Sequence, residues 1–116
     1  MFGLPNKYER MARRGDVASL GKYASEPHPV VRMKVVKALE QITNNMDAGT
    51  ALVVYLWDPD REVQLEAVKA MGVVGIASAA NHLVRVITEA QEKGDEELAK
   101  AASDALDVLH SRVATH

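Results

Sequence analysis

Residues 58–72 read DPDREVQLEAVKAMG, and a related stretch, EPHPVVRMKVVKALE, occupies residues 26–40. The two stretches align without a gap when Val31 is placed on Val63, and a third copy begins at Asp95 once a few residues are inserted. Self-similarity at a period of about thirty residues is the sequence signature of a repeat architecture. The fold therefore depends on how the copies of this stretch pack on one another.

Apolar side chains recur in each copy at i, i+4, i+7, i+8 and i+11, which places them on one face of an α-helix. They are Val31, Val35, Ala38, Leu39 and Ile42, then Val63, Ala67, Ala70, Met71 and Val74, then Leu98, Ala102, Ala105, Leu106 and Leu109. An upstream segment in each copy carries a second apolar pattern, which aligns Leu20, Leu52 and Leu83. Each unit is therefore predicted to be a helical hairpin that buries its apolar faces by stacking on its neighbours.

Capping residues and helix breakers set the predicted boundaries. Asp60 and Asp95 stand just before second helices, where a carboxylate accepts unpaired N–H groups of the first turn. His28 has that place in the first unit and precedes Pro29, which suits the first helical position. The breaks between units are assigned to Gly15-Asp16, Asn44-Asn45 and Gly75. We predict helices near 6–14, 17–25, 29–43, 47–57, 61–74, 78–93 and 96–113, and no strand.

The stretch DPDREVQLEAVKAMGVVG at residues 58–75 resembles the second-helix signature of HEAT repeats, especially the short phycocyanobilin-lyase HEAT-like type. In that type an Asp-Pro turn precedes a helix of the form E-V-x-x-x-A-x-x-A-L-G. The resemblance implies an all-α fold, an α-solenoid with a right-handed superhelix of about three hairpins whose second helices line the concave side. Glu40 and Asp107 depart from the pattern, because the family has a glycine there.

The whole chain, 1–116, is predicted to be a single repeat domain. We place a capping helix at 6–14 and the repeats at about 16–45, 46–75 and 76–113. Tyr8, Met11 and Ala12 share one face of the capping helix, and Phe2 and Leu4 are expected to add to it.

Composition excludes several classes of protein. The chain has 116 residues, 47% of them apolar and 26% charged, and no apolar run approaches the roughly 20 residues that cross a bilayer. The absence of cysteine and of an apolar leader predicts a cytoplasmic location. A net charge of −2 argues against a dedicated nucleic-acid binder.

Motifs for catalysis, metal binding or cofactor binding are missing from the sequence. The four histidines form no H-x-x-x-H or H-E-x-x-H motif, and only Asp107 and His110 make an i, i+3 pair. The HEAT-like deoxyhypusine hydroxylases hold iron with His-Glu dipeptides, and this chain has none. Phosphate-binding glycine loops are absent too. We therefore predict no enzyme activity, no metal and no cofactor.

The second helices have an outward stripe that is available for binding. By helical spacing it contains Lys34, Lys37 and Gln41, then Glu66, Lys69 and Val73, then Ala101, Asp104 and Val108. The stripe runs from basic to acidic, which would orient an extended peptide or a helix of opposite polarity. A solvated face whose charges only maintain solubility is the alternative.

Trp57 aligns with Ser25 and Thr88, which we expect to be exposed. It is either a contact anchor or a side chain packed across the next hairpin. The predicted protein-binding residues are Lys34, Lys37, Glu66, Lys69 and Trp57.

The predicted function is a non-enzymatic scaffold that binds a protein or peptide on the concave face. One alternative is an accessory, chaperone-like factor of the lyase type that assists a cofactor-bearing protein. A weaker one is nucleic-acid binding through Lys7, Arg10, Arg13 and Arg14. Homodimerisation through a terminal repeat is a further hypothesis, because so short an array leaves its last helix without a successor.

Overall fold

The structure is a computed structural model that describes residues 4–43 and 45–114. Its helices are α1 (Lys7–Arg13), α2 (Val17–Gly21), α3 (Pro29–Glu40), α4 (Met46–Val53), α5 (Arg61–Val74), α6 (Ala80–Glu92) and α7 (Glu96–Ala114). Short 3-10 turns extend α4 over Val54–Trp57 and precede α6 over Ala77–Ala79. No residue in the two described ranges lies in a β-strand. The all-α prediction is confirmed.

The helices form two layers. The second helices α3, α5 and α7 pack side by side, with α5 in the middle. The first helices α2, α4 and α6 lie behind them, and α4 packs on α5 as α6 packs on α7. These hairpins fall within the three predicted units, and the architecture is an α-solenoid. The division of the chain at residues 45 and 75 stays a prediction.

Three predicted helix ends differ from the structure by three residues or more, and one of them is the end of α4, at Val53 instead of residue 57. Helix α2 ends at Gly21 instead of residue 25, because the N–H groups of Lys22, Tyr23 and Ala24 bond carbonyls three residues back instead of four. Helix α3 ends at Glu40 instead of residue 43, where Gln41 and Ile42 make the same tighter bonds. The last turn of an α-helix is often a 3-10 turn, and apolar periodicity does not predict where that change occurs.

The predicted caps are present. The Asp60 carboxylate accepts the N–H groups of Glu62 and Val63, and the Asp95 carboxylate accepts that of Leu98. His28 is the N-cap of α3 and makes no side-chain cap bond, and Pro29 follows it. Gly15 ends α1 with a positive φ of 66°, as predicted for a helix stop. Asn45 caps α4, and Asn44 lies outside the described residues.

The predicted apolar stripes form the core. All five positions of the α5 stripe are buried, as are all those of the other two stripes except the half-buried Val31 and Leu106. The core also contains residues that the pattern did not predict, among them Val36, Leu65 and Val68. These residues lie on a second face of α3 and α5. In a solenoid this second face is buried because the neighbouring repeat packs against it.

Helix α1 covers the start of the array. It packs on α2 and α3 and buries Tyr8 and Ala12, with Met11 partly buried against the core. The Tyr8 ring meets the Tyr23 ring edge-on at 5.1 Å between centroids. Leu4 does not join this cap, because its side chain is 96% exposed, so that prediction was wrong. Phe2 lies outside the described residues.

Candidate functional site

The exposed side of α3, α5 and α7, here called the second-helix face, carries the predicted outward stripe. Lys34, Lys37 and Lys69 are exposed on it, and Glu66 is half-buried. The rest of the stripe is exposed as well, apart from the half-buried Ala101. Four of the five predicted binding residues therefore lie on one surface.

A groove of about 470 Å³ runs between α5 and α7. Its floor is apolar, because Gly72 of α5 lies against Ala105 of α7 and leaves Val73 and Val108 exposed on either side. Lys69 and Lys100 stand on its rim. We call it the α5–α7 groove.

A second groove, of about 420 Å³, runs between α3 and α5 near their N-terminal ends. Pro29, Val30, Met33 and the buried Val63 supply its apolar surface, and Val30 is 66% exposed. Its lysines are Lys34 and Lys37. This α3–α5 groove thus repeats the combination of apolar floor and basic rim one repeat earlier.

Two carboxyl groups meet on this face. The carboxyl groups of Glu40 of α3 and Glu66 of α5 lie close enough to interact electrostatically. Burial, and then the Glu66 charge, raise the pKa of Glu40 to about 7, whereas Lys37 and Lys69 act in the opposite direction. The sequence contained a signal for this pair, because Glu40 stands where the family pattern has glycine. The sequence did not indicate that the residue facing Glu40 would be Glu66.

We expect Glu40→Gln to stabilise the fold at pH 8 and to have little effect at pH 4.5. Folded Glu40 keeps its proton up to pH about 7, whereas an unfolded glutamate loses it near 4.5, so the free energy of unfolding falls as the pH rises between these values. After allowance for solvent screening, Glu40→Gln should raise the free energy of unfolding at pH 8 by about 1 kcal/mol. Urea unfolding at both pH values measures it. Glu92→Gln, on the exposed side of α6, is the control, and equal effects of the two substitutions at pH 8 would contradict the prediction.

The predicted basic-to-acidic gradient, from Lys34, Lys37 and Lys69 to Asp104 and Asp107, stays a prediction. The Asp104 carboxylate pairs with Lys100 one helical turn earlier, at 3.0 Å. Within the part of the chain that the structure describes, Lys34, Lys37 and Lys69 form no ion pair. The basic end of the stripe is therefore the more available for a partner.

Ion pairs tie each second helix to the next. Arg32 of α3 makes a bidentate pair with Asp58, at 2.8 and 3.0 Å, and also donates to the Glu26 carbonyl. Arg61 of α5 pairs with Asp95 at 2.9 Å and with Glu97 at 2.8 Å. Hydrogen bonds to these carboxylates raise the pKa of both Arg32 and Arg61. The sequence pattern did not predict these pairs, because their members are 26 to 36 residues apart.

Trp57 lies away from both grooves. Its half-buried ring lines a cleft between the turn before α5 and helix α6, together with Val86 and Leu98. The Arg85 guanidinium of α6 stands 5.6 Å from the ring centroid. Trp57 thus packs across the next hairpin, the second of the two roles considered, and is less exposed than expected. A contact role for it stays a prediction.

The outer side of α7 is polar where the equivalent sides of α3 and α5 are apolar. Alignment of the repeats places Val36, Val68 and Ser103 at one position, and only Ser103 is exposed. Glu96 and Asp107 flank it on the same exposed side. A second copy packing here would bury little apolar surface, so homodimerisation through this end remains a hypothesis without structural support.

No group of three or more His, Cys, Asp or Glu side chains in the described ranges is placed to hold a metal ion. None of the helices described is long and apolar enough to span a membrane.

Comparison with known proteins bears on the family. A family profile described as HEAT repeats matches residues 17–107, which covers all three hairpins apart from the end of α7. Searches of curated proteins and of solved structures gave no match. Proteins with HEAT repeats commonly serve as protein-interaction scaffolds and are generally not enzymes. The stacked hairpins, the Asp-capped second helices and this match together show that the chain belongs to the HEAT-repeat family.

Proposed function

We propose that this chain is a non-enzymatic scaffold that binds a protein or a peptide on the second-helix face. The observation that carries the proposal is the pair of grooves, one on each side of α5, each with an apolar floor beside exposed lysines. Exposed apolar surface rimmed by charge is typical of interaction sites. The family supports the same role, since HEAT repeats generally mediate protein interactions. A cytoplasmic location and a concave shape for this face belong to the proposal.

The accessory-factor and nucleic-acid hypotheses stay predictions from the sequence. Two of the four basic N-terminal side chains already have partners within the chain. Lys7 lies over the Tyr8 and Tyr23 rings, 5.3 and 5.4 Å from their centroids, and Arg10 donates to the Pro5 carbonyl at 2.7 Å. Neither contact is an ion pair, so both side chains keep their positive charge.

A photocrosslinking side chain placed at Val73 should capture the native partner, whereas the same side chain at Val84 should not. The two valines are matched in exposure, at 46% and 48%, but Val73 lies in the α5–α7 groove and Val84 on α6. Crosslinking in extracts of the native host, followed by mass spectrometry, makes the comparison. The double variant Lys37→Glu, Lys69→Glu should abolish the Val73 product. Equal capture at both positions, or capture that survives the charge reversal, would remove the proposal.

A further inference from the structure

The acidic side chains that line the two grooves all have partners within the chain. Asp60 accepts the N–H groups at the start of α5. Glu62 and Glu97 both pair with Arg61, at 3.1 and 2.8 Å. Asp104 pairs with Lys100. A basic ligand would therefore have to break one of these contacts before it could use a groove carboxylate.

Three of the four lysines in the grooves are in the opposite situation, whereas Lys100 pairs with Asp104. Lys34, Lys37 and Lys69 are exposed, and across residues 4–43 and 45–112 none of them has an ion-pair partner. Burial, and then the charge of the nearby Glu66, raise the pKa of Glu40 to about 7, so the Glu40 carboxyl carries only part of its negative charge at neutral pH. The second-helix face consequently presents three lysines that form no ion pair in the described residues, two of which, Lys37 and Lys69, also act on the charge of Glu40.

The spacing of the grooves sets the length of the ligand. From Val63 to Gly72 the groove centres move nine residues along α5, about 14 Å at the helical rise. They also move sideways by one interhelical distance, roughly 9 Å. The two apolar floors are therefore about 17 Å apart, which corresponds to about eleven residues, or three turns, of a bound helix.

We propose that the second-helix face binds an acidic amphipathic segment, whose apolar stripe reaches both grooves and whose carboxylates pair with Lys34, Lys37 and Lys69. This inference rests on the proposed function and specifies its ligand. Apolar anchors in the grooves supply affinity, and carboxylates beside the lysines supply orientation and faster association. The ligand class follows from charge complementarity, because three of the four groove lysines form no ion pair, whereas every carboxylate that lines the grooves has a partner.

Fluorescence anisotropy with labelled synthetic peptides tests the ligand class on the full chain. The probe is an amphipathic peptide of about eighteen residues with leucines at helical spacing and flanking glutamates. Companion peptides replace the glutamates by lysine or the leucines by serine. We expect the acidic amphipathic peptide to bind at least tenfold more tightly than either companion, and its affinity to fall as salt rises.

Two pairs of variants locate the peptide. Replacing Lys34, Lys37 and Lys69 together by Gln should weaken binding roughly tenfold, whereas replacing the exposed Arg13, Lys22 and Lys93 by Gln changes the net charge equally and should have little effect. In the second pair, Val73→Asn should weaken binding about tenfold, and Val84→Asn should not. Circular dichroism confirms that each variant is folded.

The possible results separate this inference from the proposed function. Tighter binding of the lysine peptide, or unchanged binding by the triple lysine variant, would overturn the acidic ligand class. If no peptide binds while the Val73 crosslink to the native partner persists, the inference fails and the scaffold function stands. If the Val73 crosslink fails as well, the scaffold function falls with it.

Discussion

Replacing Asp58 by alanine should lower the free energy of unfolding by about 3 kcal/mol. The side chains of Arg32 and Asp58 are only 11% and 4% exposed, and the carboxylate also accepts the N–H of Asp60 in the turn before α5. Removing it leaves a buried guanidinium without its counter-ion and a turn without its bond. In a domain of this size the loss is a large part of the total stability. Urea unfolding measures the loss of stability, provided that the dependence of the free energy of unfolding on urea concentration is the same for both proteins.

The exposed ion pair of α7 provides the matched control. Asp104→Ala breaks the contact to Lys100, but both side chains are more than half exposed, so the unfolding midpoint should hardly move. The double variant Arg32→Met, Asp58→Ala should cost clearly less than the sum of the two single substitutions, since it leaves no unpaired buried charge. Similar losses for Asp58→Ala and Asp104→Ala would show that burial of the Arg32–Asp58 pair has no energetic consequence.

Replacing Gly75 by alanine should destabilise the fold by about 2 to 3 kcal/mol. A methyl group at this position would overlap the carbonyl oxygen of Met71 and the side chain of Leu109. The backbone of α5 and the core side of α7 would both have to shift, and a close-packed core resists such a shift. Thermal or urea unfolding measures the change.

Gly21→Ala is the control for this substitution. A methyl group added at Gly21 would meet no atom within 4 Å, and the residue is exposed at the end of α2. Alanine there should leave the stability unchanged or raise it slightly, because it restricts the unfolded chain. If both glycines tolerate alanine equally, the close approach of α5 and α7 at Gly75 is more adaptable than the structure indicates.

Residues close together in the sequence allowed the most reliable predictions. The Asp60 and Asp95 caps were confirmed, as were the buried stripes, because each depends on a few neighbouring residues and on the 3.6-residue turn of the helix. The exposed positions of Lys34, Lys37 and Lys69 follow from the same periodicity. Predictions for the segment before α1, which has no apolar periodicity, were less reliable. Leu4 was expected to pack with the capping helix and is exposed.

Alignment of the repeats did not predict which residues touch. Glu40 aligns with Gly72, but its partner in space is Glu66, which aligns with Lys34. The contact depends on the position of α3 along α5 and on the angle at which the two helices cross. Between α5 and α7 the equivalent geometry depends on small residues, such as Gly72 against Ala105. The six-residue offset between the aligned residue, Gly72, and the contacting residue, Glu66, is therefore a property of packing.

The sequence by itself determined the repeat, the helices, their caps and the stripe of lysines that faces outward. Each of these depends on contacts within one helix or one turn, where spacing along the chain equals spacing in space. Only the tertiary structure decided that Arg32 meets Asp58, that Glu40 meets Glu66 and that two apolar grooves lie beside α5. These features arise between helices, and their geometry follows from close packing of side chains far apart in the chain.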